Sequence, residues 1–160
     1  MKIAVFSDTH GSAKGMLNAV RDYKPEMIIH LGDGNSDLLK LEKEFPHVPV
    51  YSVCGNCDRE CGAPETATID LGGVTAFLTH GHIYSGVRYG RLDNMLYAAE
   101  SEGAKIAMFG HTHRAGFDEI GGISILNPGT AGVGSDRTWA KLEIEPDGKI
   151  FCSIEKIVLS

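Results

Sequence analysis

The sequence has no long apolar run. Its longest, Met95 to Ala99, is five residues, far short of the ~20 that a membrane-spanning helix needs. The first apolar run, Ile3 to Phe6, stops at Ser7-Asp8, so it does not read as a secretory signal. We therefore expect a cytoplasmic protein with no membrane partner. Positive charge is also scarce. Fifteen Lys and Arg face 21 Asp and Glu, for a net charge of −6, which argues against the basic footprint of non-specific nucleic-acid binding. Repeats, low-complexity tracts and linker-like shifts are absent, so residues 1–160 read as a single domain. A chain of this length can bury a core without disulfides or a structural metal. Glycine is what the chain has in excess, 20 of 160 residues, a sign of tight turns or of backbone that closely approaches something.

The N-terminal half alternates apolar runs with helical periodicity. Lys2 to Phe6, Met27 to Leu31 and Val50 to Val53 read as buried strands. Between them, Ala13 to Tyr23 carries Met16, Leu17 and Val20 on one face, with Ser12 placed to cap it, and Leu38, Leu39, Leu41 and Phe45 mark a second helix ending near Pro46. This βαβαβ order predicts an α/β fold with a mostly parallel sheet. In the second half, Gly72-Gly73, Gly121-Gly122 and Pro146-Asp147-Gly148 separate short apolar runs, and a helix is expected from about Leu92 to Glu102. Antiparallel hairpins are expected to dominate there, giving two packed sheets with helices outside.

Metal-capable residues fall directly after strands on this map. Asp8 and His10 follow the first strand, Asp33 the second, and Asn56 and Asp58 the third. His80 and His82 follow the second strand of the Gly72-Gly73 hairpin, and His111 and His113 follow Lys105 to Phe109. Strand ends of one sheet lie in a row, so these side chains can converge. If the backbone there is extended, Asp8/His10 and His111/His113 each aim two ligands at one spot. The donors Asp8, His10, Asp33, Asn56, His80, His111 and His113 mix carboxylate, imidazole and amide, a set suited to Mn, Fe, Zn or Ni rather than Mg or Ca. Seven donors exceed what one catalytic ion takes and point to two, with a carboxylate as the natural bridge.

Asp8-Thr-His10, Gly32-Asp33, Gly55-Asn56-Cys57-Asp58, His80-Gly-His82 and Gly110-His-Thr-His113 together resemble, in order, the motifs of the calcineurin-like metallophosphoesterases. The shortness, the Cys in Gly-Asn-Cys-Asp and Asn127-Pro-Gly129 are similar to the small YfcE-type phosphodiesterase subgroup. The resemblance implies a four-layer αββα sandwich of two mixed sheets and a dinuclear site. Asp8, His10 and His113 would hold the first metal, Asn56, His80 and His111 the second, and Asp33 would bridge them. Manganese is the first choice, with nickel, zinc or iron as alternatives. A hydroxide held between the ions would then attack phosphorus in a small phosphate ester, most simply a diester. Asp33, Asn56 and His82 are the candidate catalytic residues, His82 as a stand-in proton donor. Many relatives have His where this chain has Cys57, a poor general acid, so activated or aryl diesters should be the best substrates.

Other readings stand beside this one. The same fold serves as a protein-interaction scaffold with weak or vestigial catalysis, as in a retromer subunit, but retention of all seven donors favours the enzyme. Cys54-Gly-Asn-Cys57 is a C-x-x-C pair, yet a redox protein would leave the five motifs unexplained. The cysteines read as free thiols, with a Cys57–Cys61 disulfide as the alternative under oxidation. Asp8 and Asp33 could also cap helices. Asp58 reads equally as an orienting partner or a plain loop carboxylate. His30 and His47 read as structural or solvent-facing. Tyr84, Tyr89, Arg88 and Arg91 could line a substrate pocket, and Trp139 reads as core or sheet edge.

Overall fold

The computed structural model describes residues 1–159. Its first sheet is ordered β10-β9-β1-β2-β3, from β1 (Lys2–Phe6), β2 (Met27–His30), β3 (Val50–Ser52), β9 (Thr138–Ile144) and β10 (Ile150–Lys156). β1, β2 and β3 pair in parallel, while β9 runs antiparallel to both β1 and β10. The second sheet is ordered β4-β5-β6-β8-β7, from β4 (Thr66–Asp70), β5 (Thr75–Thr79), β6 (Ile106–Met108), β7 (Gly116–Ile120) and β8 (Ile123–Asn127).

Sheet period sets the layers. On β1, Ile3 and Val5 face the second sheet and join Leu78, Ile106, Met108 and Leu126 in the central core. Ala4 and Phe6 face the other way, onto α1 (Ala13–Tyr23) and α2 (Asn35–Glu44), where Met16, Val20 and Leu41 are buried. Both faces of β1 are therefore covered, which is why it is written as a continuous apolar run. α3 (Asp93–Ser101) covers the outer face of the second sheet through Met95 and Ala99, against Phe77 and Ala107. The result is the αββα sandwich. Trp139 lies in the core and stacks on Phe6 with ring centroids 5.3 Å apart. Fully burying one such large apolar side chain is worth ~1.5–3 kcal/mol.

The three expected hairpins, β4/β5, β7/β8 and β9/β10, are all present. What the turns do not announce is a parallel core, with β6 pairing in parallel with both β5 and β8. α3 supplies the crossover from β5 to β6, and the antiparallel pairs β4/β5 and β7/β8 are confined to the flanks. One other expectation needs correction: Ser12 does not cap α1 with its side chain. Its hydroxyl instead accepts a hydrogen bond from Arg137 Nη1 at 3.3 Å, and its N–H bonds to Thr9 O at 2.8 Å.

Candidate metal centre

The loops after β1, β2, β3, β5 and β6 meet at one rim of the sandwich, tied together by backbone hydrogen bonds. Asp8 N–H donates to Gly32 O and His10 N–H to Asp33 O, each at 2.9 Å, joining the β1 and β2 loops. Gly110 N–H donates to His80 O at 3.0 Å, joining the β5 and β6 loops across the second sheet. The pairs do converge, but not along extended backbone. Asp8, His10, Asp33, His111 and His113 have φ of 56°, 45°, 57°, 65° and 58°, the left-handed region that non-glycine residues visit rarely and Asp and His more readily than most. The side chains are aimed by tight left-handed turns rather than by strand alternation.

Each buried carboxylate divides its two oxygens between different tasks. Asp8 Oδ2 accepts from Ser7 Oγ at 2.5 Å and from His111 N–H at 3.1 Å. Its Oδ1 faces imidazole nitrogens, with His113 Nε2 at 3.0 Å, His10 Nε2 at 3.6 Å and His80 Nε2 at 3.9 Å. Asp33 Oδ1 accepts the Cys57 N–H at 2.8 Å, while Oδ2 lies 3.3 Å from His80 Nε2 and 3.8 Å from His10 Nε2. Of the two Asp33 oxygens, only Oδ2 faces both imidazoles.

His80 is fully buried. Its Nδ1 lies 2.6 Å from Leu31 O. A carbonyl can only accept, so Nδ1 carries the proton. Nε2 is buried without a hydrogen-bond partner and faces two carboxylates. A lone pair aimed at two anions calls for a positive charge between them. Burial alone would lower the His80 pKa, but the Asp33 contact and the charges of Asp8 and Asp33 raise it. Burial pushes the Asp33 carboxyl up, but the nearby His80 ring and the hydrogen bond from the Cys57 N–H outweigh it and hold Asp33 well below the usual carboxylate range. His111 shifts the other way, lowered by burial and by His80, so its ring stays neutral with a nitrogen lone pair to offer. Three donor groups draw their atoms within 4.8 Å of one another: Asp8, His10 and His113; Asp8, Asp33 and His80; and His10, Asp33 and Cys57. The chemistry of these donors fits divalent transition ions.

The remaining expected residues fall in different places. Asn56 lines the same cavity, its Nδ2 donating to Cys57 Sγ at 3.4 Å. His82 does not line it. Its ring packs beside those of His80 and His111, at 5.4 and 6.4 Å, with Nε2 3.7 Å from Glu65. Burial and His80 lower its pKa. Arg88 and Tyr89 reach the cavity, whereas Tyr84 and Arg91 are not among its lining residues.

The free-thiol expectation fails for two cysteines. Cys54 and Cys61 form a disulfide, with Cα atoms 6.0 Å apart, and Cys57 and Cys152 are the free pair. Cys57 sits on the loop that the bridge encloses and spends its N–H on Asp33. Burial and the Asp33 carboxylate push its thiol up, so it is protonated at neutral pH. His30 is structural, buried with Nε2 3.2 Å from Thr9 Oγ1, and His47 is exposed.

Several supporting residues were missed or left undecided by sequence reasoning. Asp58 accepts four backbone N–H groups, from Asp33, Gly34, Asn35 and Gly55, at 2.7 to 2.9 Å. It thereby clamps the β2 loop to the β3 loop and satisfies the first amide of α2, that of Asn35, a task the sequence offered to Asp33. Asp37, fully buried, accepts the Gly11 N–H at 2.9 Å. Thr130 Oγ1 donates to Asp8 O at 2.9 Å, and Asn127 Nδ2 to Gly110 O at 3.0 Å. Gly55 is required because a Cβ there would fall on the Asp33 carboxylate. The Gly-Asn-Cys-Asp motif was the available signal for Asp58. Nothing local in the sequence marks Thr130.

Carboxylates with one tied oxygen, converging imidazoles and an open cavity at the strand ends define a metal-dependent phosphoesterase, a hydrolase of phosphoric esters. The model of the calcineurin-like phosphoesterase superfamily domain matches residues 1–147, and the chain belongs to that family. It is 31% identical over 153 residues to the probable metallophosphoesterase YsnB of Bacillus subtilis, a match covering 92% of this chain and 86% of the relative. It is 27% identical to phosphodiesterase MJ0936 of Methanocaldococcus jannaschii, over 81% of this chain and 83% of that one. A predicted phosphoesterase from Streptococcus pneumoniae has a solved structure that superposes with a TM-score of 0.75 at 26% identity, covering 97% of each chain.

Proposed function

We propose that this chain hydrolyses phosphodiesters with two divalent transition-metal ions, manganese first and nickel, zinc or iron after it. Asp8, His10 and His113 would hold one ion and Asn56, His80 and His111 the other, with Asp33 shared between them. Such ions supply Lewis-acid polarisation of the phosphoryl group and a water acidified near neutrality. The observation that carries the reading is the orphaned Nε2 of buried His80, aimed between the Asp8 and Asp33 carboxylates while Nδ1 is committed to Leu31 O.

The chain's own groups set the substrate preference. The cavity, about 490 Å³, is open and lined by His10, Asp33, Asn56 and His111 among others, which suits an ester with two arms. The name of MJ0936, a phosphodiesterase, agrees with that choice. Asn56 offers its amide oxygen to metal and substrate. At Cys57 the neutral thiol is a weak acid, so leaving groups that need no proton are favoured. His82, outside the cavity lining, is the candidate donor for the others through a bridging water. His82→Ala should slow an alkyl diester and spare an aryl diester, and equal rates on the alkyl diester would remove that role. All seven donors are present, which favours the enzyme over the scaffold alternative.

The test is a rate panel on chelator-treated protein reloaded with Mn, Ni, Zn, Fe or Mg, using aryl diester and monoester substrates. Turnover with the nitrogen-preferring ions and loss of at least about a thousandfold in Asp33→Ala are expected, from several kcal/mol of lost transition-state stabilisation. Activity with Mg alone, or an Asp33→Ala protein as fast as the parent, would contradict the reading.

A further inference from the structure

One wall of the cavity does no work in the metal centre. Arg88 and Tyr89 come from the 3-10 turn Val87–Tyr89 between β5 and α3. Arg114 comes from the β6–β7 loop, just after His113. All three line the cavity with the metal-site residues. Two arginines from separate segments thus line one space. Among the described residues, neither side chain has a hydrogen-bond or ion-pair partner, although the chain holds more acidic than basic residues. The one acidic residue lining the cavity, Asp33, has its oxygens committed to the Cys57 N–H and to the imidazoles. The arginine charges are therefore not spent on the fold.

Tyr89 completes the wall. Tyr89 is 75% exposed, and Arg91, outside the cavity lining, lies over its ring at 5.9 Å. The ring is therefore steadied from beside the cavity rather than buried. An exposed aromatic ring lining the same cavity as two arginines without side-chain partners matches a ligand that brings a planar ring and an anion together. The scissile phosphate of a diester would sit against the metal-site donors, which leaves the arginine forks for a second phosphate.

We propose that Arg88, Arg114 and Tyr89 select small nucleotide esters that carry a second phosphate beside the scissile diester, the guanidiniums holding that phosphate and the Tyr89 ring stacking on a base. The proposal rests on the phosphodiesterase reading and narrows it to one substrate class. A cavity of about 490 Å³ has the size of a small-ligand pocket, so the ligand is a nucleotide or dinucleotide rather than a polymer, in keeping with the net charge of −6.

The test compares a thymidine dinucleotide with and without a 5′-phosphate, with bis(4-nitrophenyl) phosphate as the diester that has no second anion. In the manganese-loaded parent, the 5′-phosphate should raise kcat/KM by about tenfold, mostly through KM, as two exposed charge contacts imply. In the Arg88→Ala/Arg114→Ala protein that advantage should fall to about one, with a loss on the phosphorylated dinucleotide at least fivefold greater than on bis(4-nitrophenyl) phosphate. Titration of chelator-treated protein with thymidine 3′,5′-bisphosphate and with thymidine 5′-monophosphate supplies a readout independent of turnover. The bisphosphate should bind more tightly to the parent, and the difference should vanish in the double variant and in high salt. A 5′-phosphate without effect in the parent, or an advantage that survives both substitutions, overturns the proposal. Failure of every metal form to cleave bis(4-nitrophenyl) phosphate overturns the hydrolytic reading instead, and the bisphosphate titration then decides the arginine wall alone.

Discussion

The two sheets contribute to the centre in different chemical currencies. Loops of the first sheet bring Asp8, His10, Asp33 and Asn56, including both carboxylates. Those of the second bring His80, His111 and His113, all imidazoles. The first set is heavily tied: Asp58 gathers four amides, Asp37 a fifth, and the β1 and β2 loops are bonded to each other. The second set leans on the first, since His111 N–H donates to Asp8 and His113 Nε2 contacts it. The carboxylate half is thus organised by the fold itself. The imidazole half is held across the seam between the sheets through Asp8, so under the proposed function metal affinity would depend on sheet packing.

The largest effect that sharpens this contrast concerns the buried imidazole of the first sheet, His30. Burial lowers its pKa from 6.5 to about 4, against the opposing pull of Asp8, Asp58 and Asp37. A lowered histidine binds fewer protons in the folded chain than in the unfolded one. Its stabilising contribution is complete above pH 6.5 and is lost as the pH falls from there toward 4. The gap between those values corresponds to about 3 kcal/mol. Urea titrations across this window should show the loss, and a His30→Gln variant should show a flatter profile. A parent whose stability does not change between pH 6.5 and 4 would break the account of His30.

The next effect is on the clamp. Asp58→Ala leaves four amides without their acceptor and should weaken metal binding by about ten- to a hundredfold, as loss of an outer-shell partner does. The deficit should appear first at the β2 and β3 loops in hydrogen exchange, not at His111 or His113. Equal loosening of both halves would erase the distinction drawn between them.

A comparable effect is expected at the disulfide. The Cys54–Cys61 bridge, with a sequence separation of 7, encloses Asn56, Cys57 and Asp58. Cys54→Ser/Cys61→Ser should lower stability by about 2 kcal/mol on the chain-entropy account, and proteolysis within the loop should accelerate. A variant as stable as the parent would mean that Asp58 alone holds the loop.

Much of this was legible from residue order. β1 and β2 announced themselves because strands buried on both faces must be apolar throughout, and α1 because Met16 and Val20 recur on one face. The convergence of the candidate ligands was legible because each follows a strand. The parallel core β5-β6-β8 was not, since glycine turns report only on sequence neighbours and the pairing is made across α3. The bridge was hidden because Cys54, Cys57 and Cys61 lie close enough for several pairings. Asp58 stayed undecided because its partners are backbone amides, which carry no residue signature. The left-handed turns were invisible because Asp and His do not demand positive φ as a glycine would.

Those turns have a consequence for how the molecule would respond to selection for robustness alone. At His113, whose φ is 58° and whose side chain is partly exposed, glycine would relax the backbone while removing an imidazole. His113→Gly should therefore melt higher, by up to ~1 kcal/mol in unfolding free energy, while losing its share of metal affinity. Thermal hardiness and chemical competence pull against each other along this rim, and a library screened for heat resistance without an activity check would drift toward glycine there.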